Sequence, residues 1–291
     1  MLFKGSIVAV VTPFKNGKPD LKALAELVRW HAAEGTHGIV VNGTTGEAPT
    51  LAPEEQEAAI RTVIEAARGR LPVIAGVGTN DTAKTVWQAK KAATLGADGL
   101  LVGTPYYNRP VQEGLYRHFA EVARAVRTPL VIYHIPGRTA VSLALETIER
   151  LMAFKNIVAV KEASGDLRFA MELRARIGAR LALLSGEDPL NLPLASIGSC
   201  GAISVTANVV PRQLAQMYEA VFGNDFERAA GIHLELLDLH KAMFIETNPI
   251  PVKAALAMMG KIGPEIRLPL TPLPADKARM LRAVLKRHGL V

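Results

Sequence analysis

The richest chemistry in this sequence gathers at a lysine. In the stretch 156–166, Ile157, Val158 and Val160 form a β-prone apolar run too short for a helix. Lys161 closes that run, and Ser164-Gly165-Asp166 supply the turn and capping groups that open a helix. Lys161 is therefore predicted at the carboxyl end of a buried strand, where parallel α/β proteins build their sites. An amine in a dry pocket loses the hydration that favours its charged form, and a neutral amine attacks a ketone to form a Schiff base. The plainer alternative is a lysine whose stem runs along the strand end into solvent.

Other apolar runs end in groups that complement an amine. Thr44 and Thr45 lie in Asn42-Gly43-Thr44-Thr45-Gly46-Glu47, Tyr106 and Tyr107 follow Thr104-Pro105, and Tyr133 precedes His134-Ile135-Pro136-Gly137-Arg138-Thr139. Gly186 and Ile203 mark two later strand ends. Hydroxyls and backbone N–H groups hold a carboxylate, a phenol moves protons, and an arginine grips a second carboxylate with two parallel hydrogen bonds. Each group also has a structural explanation. The Gly-Thr-Thr-Gly segment is a common turn, paired tyrosines suit packing or an interface, and Arg138 could be solvated. Glu47 and Glu162 read as structural partners of nearby donors. The seven histidines show no metal-ligand spacing, so no metal is expected, and a lysine that forms the imine itself needs no organic cofactor.

These groups need a scaffold that brings strand ends together. Short apolar strands near residues 6–11, 38–41, 72–75, 98–102, 129–133, 157–160, 181–184 and 202–205 alternate with amphipathic segments. Parallel strands require crossover helices, so this alternation predicts a (β/α)8 barrel over residues 1–224. A doubly wound sheet should show a glycine-rich phosphate loop, and no GxGxxG or GxxxxGK occurs. Beyond the eighth strand the pattern turns helical, at 211–222, 225–243, 250–259 and 275–287. Residues 225–291 are read as a C-terminal helical module. Ser142 is expected to cap the fifth helix.

Composition narrows the partners. Of 291 residues, 49% are hydrophobic and 21% charged, which suits a compact chain. The net charge of +7 favours anionic partners, but the basic residues are scattered and only 5% of residues are aromatic. Small acids are therefore favoured over nucleic acid. No apolar run approaches the ~20 residues of a membrane span. Cys200 is the only cysteine, which fits a reducing cytoplasm.

Three segments together carry a resemblance: Asn42–Glu47, Tyr133–Thr139 and Val160-Lys161-Glu162-Ala163. They are similar to the class I pyruvate-dependent aldolase/lyase superfamily, and within it to the dihydrodipicolinate synthase family. The similarity extends to Thr104-Pro105-Tyr106-Tyr107-Asn108, Ile203–Asn208 and Asn248–Lys253. The resemblance implies condensation of pyruvate with aspartate semialdehyde by a cytoplasmic homo-oligomer, a tetramer built from dimers. It implies that Lys161 forms the imine and that Tyr133, Thr44 and Tyr107 relay protons, with Tyr107 reaching in from a neighbouring subunit. Thr45 holds the pyruvate carboxylate on this reading, and Arg138 that of the semialdehyde. Gly186 and the backbone of Ile203 line the site. His134 replaces an asparagine common in the family and is expected to point away. Other pyruvate aldolases, such as N-acetylneuraminate lyase or a keto-sugar-acid aldolase, share the lysine and first tyrosine. A non-enzymatic anion or nucleic-acid binder built on a barrel is the rival of another class. The resemblance also implies a lysine-sensing site at Ala48, Pro49, Pro53, Gln56, Asn80, Lys84 and Tyr106. There Lys84 replaces a glutamate of lysine-sensitive relatives.

Overall fold

A computed structural model describes residues 2–291. Eight parallel strands close into a barrel: β1 Gly5–Ala9, β2 Gly38–Val41, β3 Val73–Gly76, β4 Gly99–Gly103, β5 Leu130–His134, β6 Ile157–Glu162, β7 Ala182–Ser185 and β8 Gly201–Ser204. Each pairs with its neighbours in sequence, and β1 closes the ring against β8. Side chains alternate along every strand. Ile7, Val40, Ile74, Leu101, Val131 and Ala159 fill the interior, whereas Val8, Ile39, Val73, Leu100, Ile132 and Val160 face the helices.

The barrel helices are α1 Leu21–Ala33, α2 Pro53–Ala67, α3 Thr82–Thr94, α4 Gln112–Ala125, α5 Leu145–Leu151, α6 Leu167–Ile177, α7 Asn191–Ser196 and α8 Pro211–Phe222. Asp20, Asp81 and Asp166 cap α1, α3 and α6 with their side chains, the last as expected from its sequence. Then follow α9 Phe226–Glu235, α10 Leu237–Ala242, α11 Ile250–Met258 and α12 Ala275–Arg287. Val252, Leu256, Leu281 and Leu285 from this last segment share one apolar cluster with the outer faces of the strands. No helix among the described residues is long and apolar enough to cross a membrane.

Two local expectations need correction, and one feature is added. Ser142 does not cap α5, which begins at Leu145 with Ala144 as N-cap. Gln112 supplies the capping acceptor from α4, its Oε1 taking hydrogen bonds from Ala144 N (2.9 Å) and Thr147 Oγ1 (2.7 Å). The helix expected at 225–243 breaks at Leu236 into α9 and α10, which lets His233 meet Pro189 O at 3.1 Å and His240 meet Thr206 Oγ1 at 3.0 Å. A hairpin absent from the sequence reading pairs Phe14–Lys15 with Lys18–Pro19. Its Asn16-Gly17 turn has both φ angles positive, at 54° and 73°.

Candidate active site

The strand register places the reactive groups. Tyr133 and Lys161 are paired on β5 and β6, and the next pair is His134 with Glu162. Because side chains alternate, the first pair points into the barrel and the second outward. Lys161 is 6% exposed, with Nζ 4.1 Å from the centre of the Tyr133 ring. On the outer side, His134 Nδ1 bonds Glu162 Oε2 at 2.6 Å, and Glu162 Oε1 accepts from Ser164 N at 2.6 Å. The His134 ring also packs on Phe169 at 4.6 Å. His134 thus points away from the cavity, and Glu162 serves as a structural partner.

Two lysines are buried among the described residues, and their surroundings differ. Lys253, 2% exposed, pairs with Glu47 at 2.5 Å; burial pulls its amine below the usual lysine range, and the Glu47 carboxylate opposes this. Lys161 forms no ion pair among the described residues. A buried amine with no carboxylate partner is free to add to a carbonyl.

A cavity opens at the carboxyl ends of the strands, with a volume of about 260 Å³. Thr44, Thr45, Tyr133, Arg138, Lys161 and Gly186 all line it. Gly186 packs directly on the lysine stem. A Cβ there would lie 2.5 Å from Ala163 Cβ and 3.0 Å from Lys161 Cε, so only glycine fits. Arg138 rides on the one-turn helix Pro136–Thr139 and donates from Nη2 to Asn248 O at 3.2 Å. Gly76 lets β3 pass tightly beneath the Asn42-Gly43 turn, where any Cβ would collide with backbone.

Two predicted residues are not in this cavity. Ile203 is 1% exposed and belongs to the barrel-interior cluster; Val205 lines the cavity from that strand end instead. Tyr107 is 89% exposed at a φ of +71°, a left-handed conformation costly for a tyrosine. Among the described residues no hydrogen bond joins Tyr133 to Thr44 or Thr44 to Tyr107.

Other residues escaped sequence reasoning. Asn248 lines the cavity and donates from Nδ2 to Thr45 Oγ1 at 3.0 Å, while Phe244 and Glu187 complete the wall. Asp188, 2% exposed, ties two strand ends together by accepting from Val205 N (3.0 Å), Thr206 N (2.8 Å) and Thr206 Oγ1 (3.0 Å). The motif Asn248–Lys253 was visible as a resemblance, but nothing local assigned it to the site. Cys200 is no nucleophile, since burial pushes its thiol up to about 11.

The fold and cavity define a class: a (β/α)8 barrel enzyme that presents an unpaired amine beside threonine hydroxyls, a phenol and a guanidinium. The chain belongs to the dihydrodipicolinate synthetase family, whose model matches residues 2–288. It is 50% identical over 290 residues to a 4-hydroxy-tetrahydrodipicolinate synthase of Thermodesulfovibrio yellowstonii, covering all of both chains. The dihydrodipicolinate synthase structure from Aquifex aeolicus superposes with a TM-score of 0.97 at 47% identity, covering 99% of each chain. The structure from Cyanidioschyzon merolae, with lysine bound, gives 0.96 at 40% identity, covering 100% of this chain and 99% of that one.

Proposed function

We propose that this chain condenses pyruvate with L-aspartate 4-semialdehyde to give 4-hydroxy-tetrahydrodipicolinate, the committed step of diaminopimelate and lysine biosynthesis. The observation that carries the reading is the unpaired, buried Lys161 amine, which shares a cavity with Thr44, Thr45 and Arg138.

The chemistry follows from those groups. Lys161 adds to the pyruvate ketone and water leaves, giving a protonated imine that acts as electron sink. Thr45, its hydroxyl fixed by Asn248, holds the pyruvate carboxylate. Tyr133 and Thr44 move the protons, and loss of a methyl proton yields an enamine. The enamine carbon attacks the aldehyde of the second substrate, whose carboxylate rests on Arg138. The substrate amine then closes the ring and displaces Lys161. Tyr107 completes the proton relay from a second copy of the chain, which accounts for its strained projection into solvent. The working form is accordingly a cytoplasmic homo-oligomer, a dimer of dimers.

Incubation with pyruvate and aspartate semialdehyde is the test. The expected result is consumption of both with formation of the cyclic product, and no pyruvate released from N-acetylneuraminate. Cleavage of the sugar acid without condensation of the semialdehyde would overturn the assignment.

A further inference from the structure

One carboxylate in the cavity wall has no task in the reaction as described. Glu187 follows Gly186 directly and lines the same cavity as Lys161 and Arg138. Its backbone is pinned, since its carbonyl accepts from Ser185 Oγ at 3.0 Å and from Leu190 N at 2.9 Å. Its half-buried carboxylate enters no ion pair and accepts no hydrogen bond among the described residues. Its neighbour Asp188 differs, being buried and engaged by Val205, Thr206 and Asn191. The charged groups around Glu187 are Asp188, Lys161, Glu162 and Arg138.

An unused anion in a site for two acids needs a reason. Both substrates carry a carboxylate, so a bare carboxylate in the wall repels them unless one also carries a cation. Aspartate semialdehyde does, on the carbon beside the carboxylate assigned to Arg138. We propose, resting on the activity argued above, that Glu187 binds the α-ammonium of aspartate semialdehyde and accepts its proton before ring closure.

The proton balance then closes. The ammonium passes one proton to the Glu187 carboxylate, and the freed nitrogen pair forms the new C–N bond at the imine carbon. The imine electrons move to the Lys161 nitrogen. A second proton moves from the substrate nitrogen to that of Lys161, which leaves as a neutral amine. The substrate nitrogen's pair then forms the protonated cyclic imine, which releases its remaining proton to solvent. Burial, with Asp188 adding to it, raises the Glu187 carboxyl above the usual carboxylate range. That direction makes it a better acceptor for an ammonium proton.

Succinic semialdehyde, the same aldehyde acid without the amine, is the discriminating probe. Glu187→Gln is expected to raise KM for aspartate semialdehyde about 10–100-fold, the usual cost of one charged hydrogen bond. Competitive inhibition by succinic semialdehyde is expected to stay within about twofold of the parent, because one charge is lost where this probe has none. Borohydride trapping of pyruvate is expected to be unchanged, which also reports an intact fold, and Glu187→Asp is expected to recover most of the loss. Equal KM and kcat for Glu187→Gln and parent, or equal weakening of both aldehydes, would overturn the inference while leaving the condensation activity standing. A parent enzyme that ignores aspartate semialdehyde overturns both.

Discussion

At the scale of single residues, the site depends on Lys161 lacking what Lys253 has. An ion pair would occupy the Lys161 amine; none is present among the described residues, and Gly186 meets the lysine stem. This makes Gly186 a sharp test of positioning. Gly186→Ala puts a methyl 2.5 Å from Ala163 Cβ, 3.0 Å from the Glu162 carbonyl oxygen and 3.0 Å from Lys161 Cε. Overpacking of this kind costs about 1–3 kcal/mol. Displacement of a reacting atom by about an ångström costs about 100-fold in rate. Gly186→Ala is expected to fold with a modestly lowered Tm and to lose about 100-fold in kcat, read by steady-state kinetics beside a thermal melt. Full activity would show that the wall does not position the lysine.

At the scale of elements, the loop bearing Thr44 and Thr45 is held by chain from far away. Glu47, buried and left-handed at a φ of +54°, accepts from Lys253 Nζ and from Arg267 N (3.1 Å). Arg267 grips Glu55 through two hydrogen bonds of 2.6 Å, and both Arg267 and Lys253 lie over the Phe14 ring. Removing one partner of a buried pair costs about 3–5 kcal/mol because the other charge is stranded. Lys253→Met is therefore expected to lower stability by about that amount and to raise KM for pyruvate by loosening Thr45, checked by denaturant unfolding and kinetics. Unchanged stability would contradict the role given to the pair. These long-range ties were the part the sequence hid. Alternating runs announced eight strands, and Asp166 announced the start of α6, because both signals are local. Asn248 meets Thr45 across 203 residues, and Gln112 caps a helix from 32 residues away, so no periodicity reveals either. Lys161, Tyr133, Thr44, Thr45, Arg138 and Gly186 were legible because a barrel converges its strand ends. Ile203 was expected to line the site through its backbone; its side chain fills the barrel interior, and Val205 lines the cavity from the end of that strand.

At the scale of the whole molecule, the proposed relay through Tyr107 would extend the site beyond one chain. Tyr107 projects away from its own cavity, and the loop around it is fastened by Asn108 Nδ2 donating to Asn80 O at 2.9 Å. The same surface holds the positions that the family resemblance links to lysine sensing. Here Gln56 is already committed, donating to Ala48 O (2.9 Å) and accepting from Gln88 Nε2 (3.0 Å), and Lys84 is an exposed cation. Two like unit charges ~4 Å apart repel by about 4 kcal/mol at an effective dielectric near 20. Free L-lysine is expected to inhibit this enzyme weakly or not at all, unlike a relative that binds it. Initial rates at saturating pyruvate with rising lysine check this, and potent submillimolar inhibition would contradict it.

The central claim is that one amine of this chain forms the imine. Incubation with pyruvate and borohydride, followed by mass mapping of the digest, tests it directly. The expected result is a single reduced adduct on Lys161 and none on the paired Lys253. An adduct on any other lysine, or no adduct at all, would contradict the account.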